Sequence, residues 1–521
     1  MANTVLFVPN NININGLVDK GEMSIKPFKK DKLLYLLNVI TEIPANNKDI
    51  ELKNGFIPIN ATILKNILGS NYLDYIKLLL DEGIIECDNQ YVVDEKSKGY
   101  RFTEQYQTSV IPTEITDFTL QKKLIANRKN KIIKRGNRNI GKTREIKTIG
   151  KKQLFAIPPY DKAYTKGVYK WYEDGGLEID DKLANEYAEK VFKYKKADKS
   201  RWDTDHKTGR VKHPFNQNAN MVRNIYRVKN GDLDPHTDDN VHRLHSVLTY
   251  SKKEIRHALS YKGESLVAID LSNSQPYLST ILFNPEFWEN KNPNLSISNL
   301  YLPITTIFPT THKHKYFIKF LKSTSTPLLS SIPADLKEFI DAVSSGRFYE
   351  KFQKNILEKT GDKLDIQKEL KPLMFMVLFT DNRFLGQKEA GYKRLFKETY
   401  PTVYNCFKLI KSAQKENLPI LLQQIESYIF LKRIGLRIAK EHPNVPFWTI
   451  HDSVVTTLTH VDLVEKVAIE ELEKCIGLKP SMKREYWGKG VLLREILRMN
   501  YGNMAEMLNY TGLGWYLGKI M

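Results

Sequence analysis

Residues 446–457, PFWTIHDSVVTT, set a short polar interruption between two runs of β-branched and aromatic residues. That composition predicts a buried hairpin, with one strand over 447–450, a second over 454–458 and a tight turn between them. His451, Asp452 and Ser453 are the residue types of a hydrolase triad. Neighbours on an extended chain point to opposite faces, however, and cannot converge on one point through hydrogen bonds. A carboxylate at the tip of a buried hairpin is instead a metal-ligand arrangement, provided a second carboxylate arrives from elsewhere in the chain.

The stretch ESLVAIDLSNSQPYLSTILF supplies that second acid. Leu266 to Ile269 reads as a buried strand closed by Asp270, and Ser274-Gln275-Pro276 opens a helix with proline in its first turn. Alone, such an aspartate is most simply a helix cap. With Asp452 it forms a pair able to bridge two metal ions about 3.5–4 Å apart, which suits an in-line displacement at phosphorus. Between the two acids, in IQKELKPLMFMVLFTDNRFLGQ, Lys371, Phe375 and Phe379 recur every four residues and so share a helix face. A lysine and two rings on one face can hold a triphosphate while stacking on a base. Taken in isolation, the same stretch also fits an ordinary amphipathic helix with Pro372 in its first turn.

A chain of 521 residues exceeds what one core accommodates, so more than one domain is expected. Lys plus Arg number 80 against 60 Asp plus Glu, a formal charge of +20. In a folded protein that surplus points to a polyanionic partner, nucleic acid above all; a lysine-rich proteome is the plainer alternative. Cys87, Cys406 and Cys475 are too far apart for a zinc pattern and are expected to be reduced thiols of a cytoplasmic protein. No basic segment followed by an apolar run marks a secretion signal, and no run approaches the roughly 20 apolar residues of a membrane span.

From Lys30 to Tyr106 the periodicity predicts three helices and a hairpin, with Asn60 or Thr62 at the second cap and Gly83 ending the third. The hairpin loop, DEKSK, is charged. This is the layout of a winged helix, used either on nucleic acid or as a protein-docking module. The basic run over 122–152 contains GNRNIGKT, Gly136 to Thr143, which fits the phosphate-loop pattern G-x-x-x-x-G-K-S/T. Its flanks are too charged to form the buried strand and helix that such a loop requires, so it is read as a chance match in a basic strap. LANEYAEKVFKYKKADKSRW predicts a helix with basic residues gathering at its end. No internal repeat appears.

Taken in order, these pieces resemble family A, the DNA polymerase I-like enzymes, and the related phage-type single-subunit RNA polymerases. The family's palm strand carries D-x-S-x-x-E or D-G-S, similar to Asp270 through Gln275 here. Its fingers helix carries R-x-x-x-K-x-x-x-F-x-x-x-Y-G, similar to Gln367, Lys371, Phe375, Phe379 and Thr380. Its palm hairpin carries H-D-E in DNA enzymes and H-D-S in RNA enzymes, the latter matching His451-Asp452-Ser453. HRLHSVLTYSKKEIRHALSYKGESLVAID resembles the approach to the first palm strand and aligns Arg243 and Arg256 with family arginines. LFKETYPTVYNC and LPILLQQIESYIFLKRI resemble the segments after the fingers, the second aligning Gln424. The resemblance covers about 224–487, roughly half the chain. It departs at Gln367, where the family has Arg, although Lys368 adjoins it, and at Thr380, where it has Gly. Gln275 replaces the Glu that crowds the ribose 2′-hydroxyl in DNA enzymes and the Gly of RNA enzymes, and Phe379 replaces a Tyr that helps RNA enzymes recognise that hydroxyl.

The resemblance implies an α+β right hand, with an antiparallel palm sheet and helical fingers and thumb, behind an N-terminal winged helix. The expected divisions are 1–115 for the winged helix, 116–152 for a basic connector, 153–223 for a thumb-like or nucleic-acid-binding region, 224–490 for palm and fingers, and 491–521 for an extension. The implied activity is a template-directed nucleotidyltransferase, a DNA polymerase without proofreading, of a phage, plasmid or other mobile element. An RNA polymerase or primase on the same core, and a non-catalytic replication initiator, are the alternatives. Implied cofactors are two Mg2+ ions, or Mn2+, on Asp270, Asp452 and the Leu271 carbonyl. Lys371, Phe375, Phe379, Gln275 and Gln367 would meet the dNTP or NTP. Arg243, Arg256, His451 and Gln424 would approach a DNA primer–template, or an RNA one.

Overall fold

The computed structural model describes residues 5–46, 53–92, 96–124, 162–205, 209–238, 240–325, 332–382 and 385–501. The basic run beyond 124, including Gly136 to Thr143, lies outside them, as do part of the DEKSK loop and the tail after 501. The architecture is mixed, with helices packed around antiparallel sheets. Among the described residues, no helix is long and apolar enough to cross a membrane.

Near the N-terminus, β1 (Val5–Pro9) leads into α1 (Ile14–Ser24) and α2 (Lys30–Asn46). Then come β2 (Ile57–Pro58), α3 (Ala61–Leu68), α4 (Tyr72–Asp81), β3 (Ile85–Cys87), β4 (Gly99–Phe102) and β5 (Val110–Glu114). The three expected helices are α2, α3 and α4. Asn60 caps α3 by accepting from the Thr62 N–H at 2.8 Å, and Gly83 takes the positive φ of 61° that turns the chain into β3. The three short strands order as β2-β4-β3. Unforeseen was the pairing of β1 with β5, Val5 opposite Glu114 through Pro9 opposite Val110. The apolar faces of the Asp181–Lys196 and Pro214–Lys229 helices close over this unit, so Val191, Phe192, Phe215 and Ile225 share its core.

The second core surrounds a six-stranded sheet. Its strands are β6 (Leu177–Ile179), β9 (Leu259–Tyr261), β10 (Glu264–Leu271), β11 (Phe447–Ile450), β12 (Ser453–Thr457) and β13 (Met482–Tyr486). A separate hairpin, β7 (His236–Thr237) with β8 (Leu244–His245), stands beside it. Strand β10 is central, paired with β12 and β13, and its Leu266–Ile269 run is buried on both faces, which is why it reads as continuously apolar. Asp270 does not end the strand as expected; β10 runs one residue further, to Leu271. Strand β11 covers the predicted residues, and β12 starts and stops one residue earlier than predicted. Of the cysteines, Cys406 and Cys475 are buried free thiols and Cys87 is half-buried.

Candidate active site

Antiparallel pairing of β10 with β12 sets Asp270 opposite Ser453, one residue from Asp452. Directly opposed residues share a sheet face, and the Ser453 hydroxyl donates to Asp270 Oδ1. On the other flank of β10, Lys483 of β13 opposes Asp270, so a cation sits in the same row. His451 and Asp452 form the two-residue turn. His451 adopts φ 55°, a left-handed conformation that histidine tolerates better than most side chains. The Asp452 carbonyl accepts from the Leu271 N–H at 3.2 Å, tying the turn to the end of β10.

Burial pushes the Asp452 carboxyl above the usual carboxylate range; the nearby Ser274 hydroxyl opposes that, and the neighbouring Asp270 charge adds to it. Ser274 opens the short Ser274–Leu278 helix, entered through Asn273 at φ 51°. Two carboxylates in one another's field, one desolvated, are hard oxygen donors that a divalent cation would relieve, so the pair fits magnesium in kind. Among the described residues, no group of three or more His, Cys, Asp or Glu forms a metal centre. Leu271, whose N–H bonds the Asp452 carbonyl, adjoins Asp270 at the end of β10.

The charge of Asp452 reaches Lys371, the first residue of the Lys371–Phe379 helix. Lys371, Phe375 and Phe379 lie on one side, the two rings stacked with centroids 5.3 Å apart. Phe375 is 43% exposed, unusual for so large an apolar ring. Pro372 is accommodated in the first turn, directly after a wide π-turn segment, Ile366–Leu370, which spares the backbone the bonds that proline removes. Burial lowers the Lys371 pKa, while the charge of Asp452 supports its protonated form. Its Nζ lies 5.6 Å from the centre of the Tyr349 ring. Tyr349 also feels Asp452, and burial raises its phenol pKa. Gln367 falls in the π segment, but its side chain is outside the described residues.

Gln275, Arg243 and a residue that sequence reasoning missed, Glu426, form one network. Glu426 Oε2 accepts from Arg243 Nη2 at 2.6 Å and from Gln275 Nε2 at 2.7 Å. Its side chain is almost wholly buried, and burial pushes its carboxyl up to about 7, with Arg243 pulling it down and Asp452 pushing it up. The one local signal was an acid inside the otherwise apolar LPILLQQIESYIFL stretch. His451 packs edge-on against His245, centroids 5.9 Å apart. Burial, aided by Arg243, His245 and Arg256, lowers its imidazole pKa to about 4, so the ring is neutral near pH 7. Arg256 donates from Nε to the Leu248 carbonyl at 3.2 Å and lies in the field of Glu485 and Asp270.

Gln424 stands apart from this group. It is 4% exposed; its Oε1 accepts from the N–H groups of Tyr301 (3.0 Å) and Leu302 (2.9 Å), and its Nε2 donates to the Asn240 carbonyl (3.0 Å). In this structure it fastens a helix to two loops, with both acceptor positions of its oxygen and one of its two amide hydrogens engaged.

No protein-family model matches the chain, and none of the curated proteins compared with it is similar in sequence. Among solved structures, the POL domain of Pol1 from M. smegmatis, in complex with DNA primer-template and dNTP, is similar over 63% of this chain and 70% of that one. The identity is 13% and the TM-score 0.30.

Proposed function

We propose that the chain is a template-directed nucleotidyltransferase, a DNA polymerase with a palm at β10–β13 and a fingers helix at Lys371–Phe379. The observation that carries this reading is the convergence of three sequence-distant elements. Asp270 and Asp452 meet through the β10–β12 pairing, and the charge of Asp452 reaches Lys371. In the proposed reaction the 3′-hydroxyl oxygen of a primer bonds to the α-phosphorus of the nucleotide, the hydroxyl proton leaves, and the bond to the bridging oxygen breaks to release pyrophosphate. Magnesium held by Asp270, Asp452 and the Leu271 carbonyl would acidify that hydroxyl and neutralise the leaving group.

The chain's own side chains do the rest. Lys371 meets the triphosphate as a partly desolvated cation, and the Phe375 and Phe379 rings offer a face to the base. Gln275, pinned by Glu426, stands as fixed bulk beside the aspartates, and we read that bulk as favouring deoxynucleotides. Arg243 and Arg256, with neutral His451, line the approach of the primer–template. We read α2, β2, α3, α4, β3 and β4, with sheet order β2-β4-β3, as a winged helix. A reading as an RNA or primer-synthesising enzyme draws on Ser453, an alcohol where the family's DNA enzymes carry an acid. Primer extension over DNA and RNA templates, each with dNTP or NTP and each repeated without primer, decides between these. No incorporation under any combination would leave a DNA-binding protein as the reading.

A further inference from the structure

Away from the aspartates, a cavity of about 740 Å³ opens where the N-terminal unit meets the Pro214–Lys229 helix. Its walls combine the rings of Phe102, Trp202 and Tyr250 with the cations Arg210, Lys212 and Lys252. Two carboxylates also line it, and each is matched by a lysine. Asp203 receives Lys195 Nζ at 2.5 Å and Gln217 Nε2 at 2.8 Å, and Asp205 lies 3.3 Å from Lys212. With its acids matched by Lys195 and Lys212, and Lys252 also on the wall, the cavity favours an anionic ligand. Trp202 is held in place before any ligand arrives, since its Nε1 donates to the Lys195 carbonyl at 2.9 Å and its ring meets His213 edge-on at 4.7 Å. A fixed ring next to cations suits a base with its phosphate.

The position of the cavity adds the second argument. Tyr250, on its inner wall, stacks on His245 with centroids 5.9 Å apart and planes 6° from parallel. His245 in turn touches His451 edge-on at 5.9 Å. Two rings therefore separate the cavity from the turn carrying Asp452. The volume lies within the range of small-ligand pockets, and a duplex about 20 Å wide does not fit it, whereas unpaired nucleotides do. We propose that this cavity is a second nucleotide-binding site, which takes an unpaired segment of a nucleic-acid strand running to or from the aspartate pair. That the strand is template or primer rests on the polymerase reading; that the cavity binds it does not.

The test uses the full chain, without divalent cation and in the Asp452→Asn background, so that a failure of catalysis leaves binding readable. Anisotropy of a short fluorescein-labelled oligothymidylate is measured for Lys252→Glu, Arg210→Glu and a remote control, Lys337→Glu, each checked by thermal melting. The two cavity variants are expected to weaken binding about tenfold more than the control, and each to lower the salt slope by about 1. In the unsubstituted chain, an oligonucleotide carrying 5-iododeoxyuridine should crosslink at Trp202 or Tyr250. Equal binding by cavity and control variants, or crosslinks confined to other residues, would overturn the proposal. Competition by thymidine triphosphate alone, with no oligonucleotide crosslink at these rings, would overturn the strand as ligand. Primer extension by a wild-type chain lacking these crosslinks would remove this inference and leave the polymerase reading standing.

Discussion

The Ser453 hydroxyl donates to the Asp270 carboxylate across the β10–β12 pairing, so one of the two candidate metal ligands is held by the residue next to the other. The bond fixes Asp270 Oδ1 while Lys483 approaches from the opposite strand. Ser453→Ala removes a buried hydrogen bond to a charged acceptor and is expected to cost about 1–2 kcal/mol in urea unfolding. It should also lower nucleotide incorporation about tenfold by loosening Asp270. Unchanged incorporation with the stability loss present would reduce Ser453 to a packing role.

Asp452→Asn separates stability from chemistry. The carboxylate is desolvated and lies in the field of Asp270, both of which raise its pKa, so its ionised form is a cost to the fold. The near-isosteric amide should leave the melting temperature unchanged or raise it by a few degrees, and reduce incorporation by about 10³ or more, the trade-off expected of a strained functional site. Incorporation within about threefold of wild type would sink the metal assignment.

How much of this was legible varies with the range of the interaction. The hairpin around Asp452 was readable because β-branched and aromatic runs encode strands locally, and the Lys371, Phe375 and Phe379 face because a four-residue spacing is a helical repeat. The β1–β5 pairing was not readable, since its partners are about a hundred residues apart and no hairpin turn joins them. Strand β13, MKREY, hid behind its polarity: it flanks the sheet partly exposed. Gln424 shows what alignment to a motif leaves out. It supplied a position along a helix but not which way the side chain faced, and the free N–H groups of Tyr301 and Leu302 claimed the amide. Glu426, two residues on, is the acid that joins Arg243 to Gln275.

Glu426 makes stability depend on pH in a defined direction. Its folded pKa, about 7, lies above the ordinary 4.5, so between those values the folded chain keeps a proton that the unfolded chain has released. The stabilisation is complete below about pH 4.5 and is lost as pH rises through about 7, on the order of 3 kcal/mol across the window. Glu426→Gln, which keeps the shape and the contact to Gln275, should flatten that slope. Urea midpoints at pH 5 and pH 8 for the two proteins measure it. His451 acts oppositely, since its pKa of about 4 costs stability as pH falls below about 6.5. The comparison is therefore made between Glu426→Gln and wild type at each pH, where the His451 contribution cancels. Parallel slopes would place the Glu426 proton elsewhere.

Lys371 is a cation that burial disfavours and that Asp452 supports, on a helix face whose other members are aromatic. A lysine with a lowered pKa reacts with aldehydes more readily than solvated lysines do. Pyridoxal phosphate followed by borohydride should therefore label Lys371 ahead of the surface lysines, and a bound nucleoside triphosphate should protect it. Labelling should be stronger in Asp452→Asn, where the supporting charge is gone. In steady-state incorporation, Lys371→Ala should raise KM for the nucleotide about a hundredfold, from loss of a desolvated charge contact to phosphate, and lower kcat as well if the contact tightens as pyrophosphate departs. Lys371→Arg should restore only part, because the planar fork cannot reproduce a compact ammonium against the Tyr349 ring. If triphosphate gives no protection and KM does not move, the lysine belongs to the helix packing and the nucleotide enters by another face.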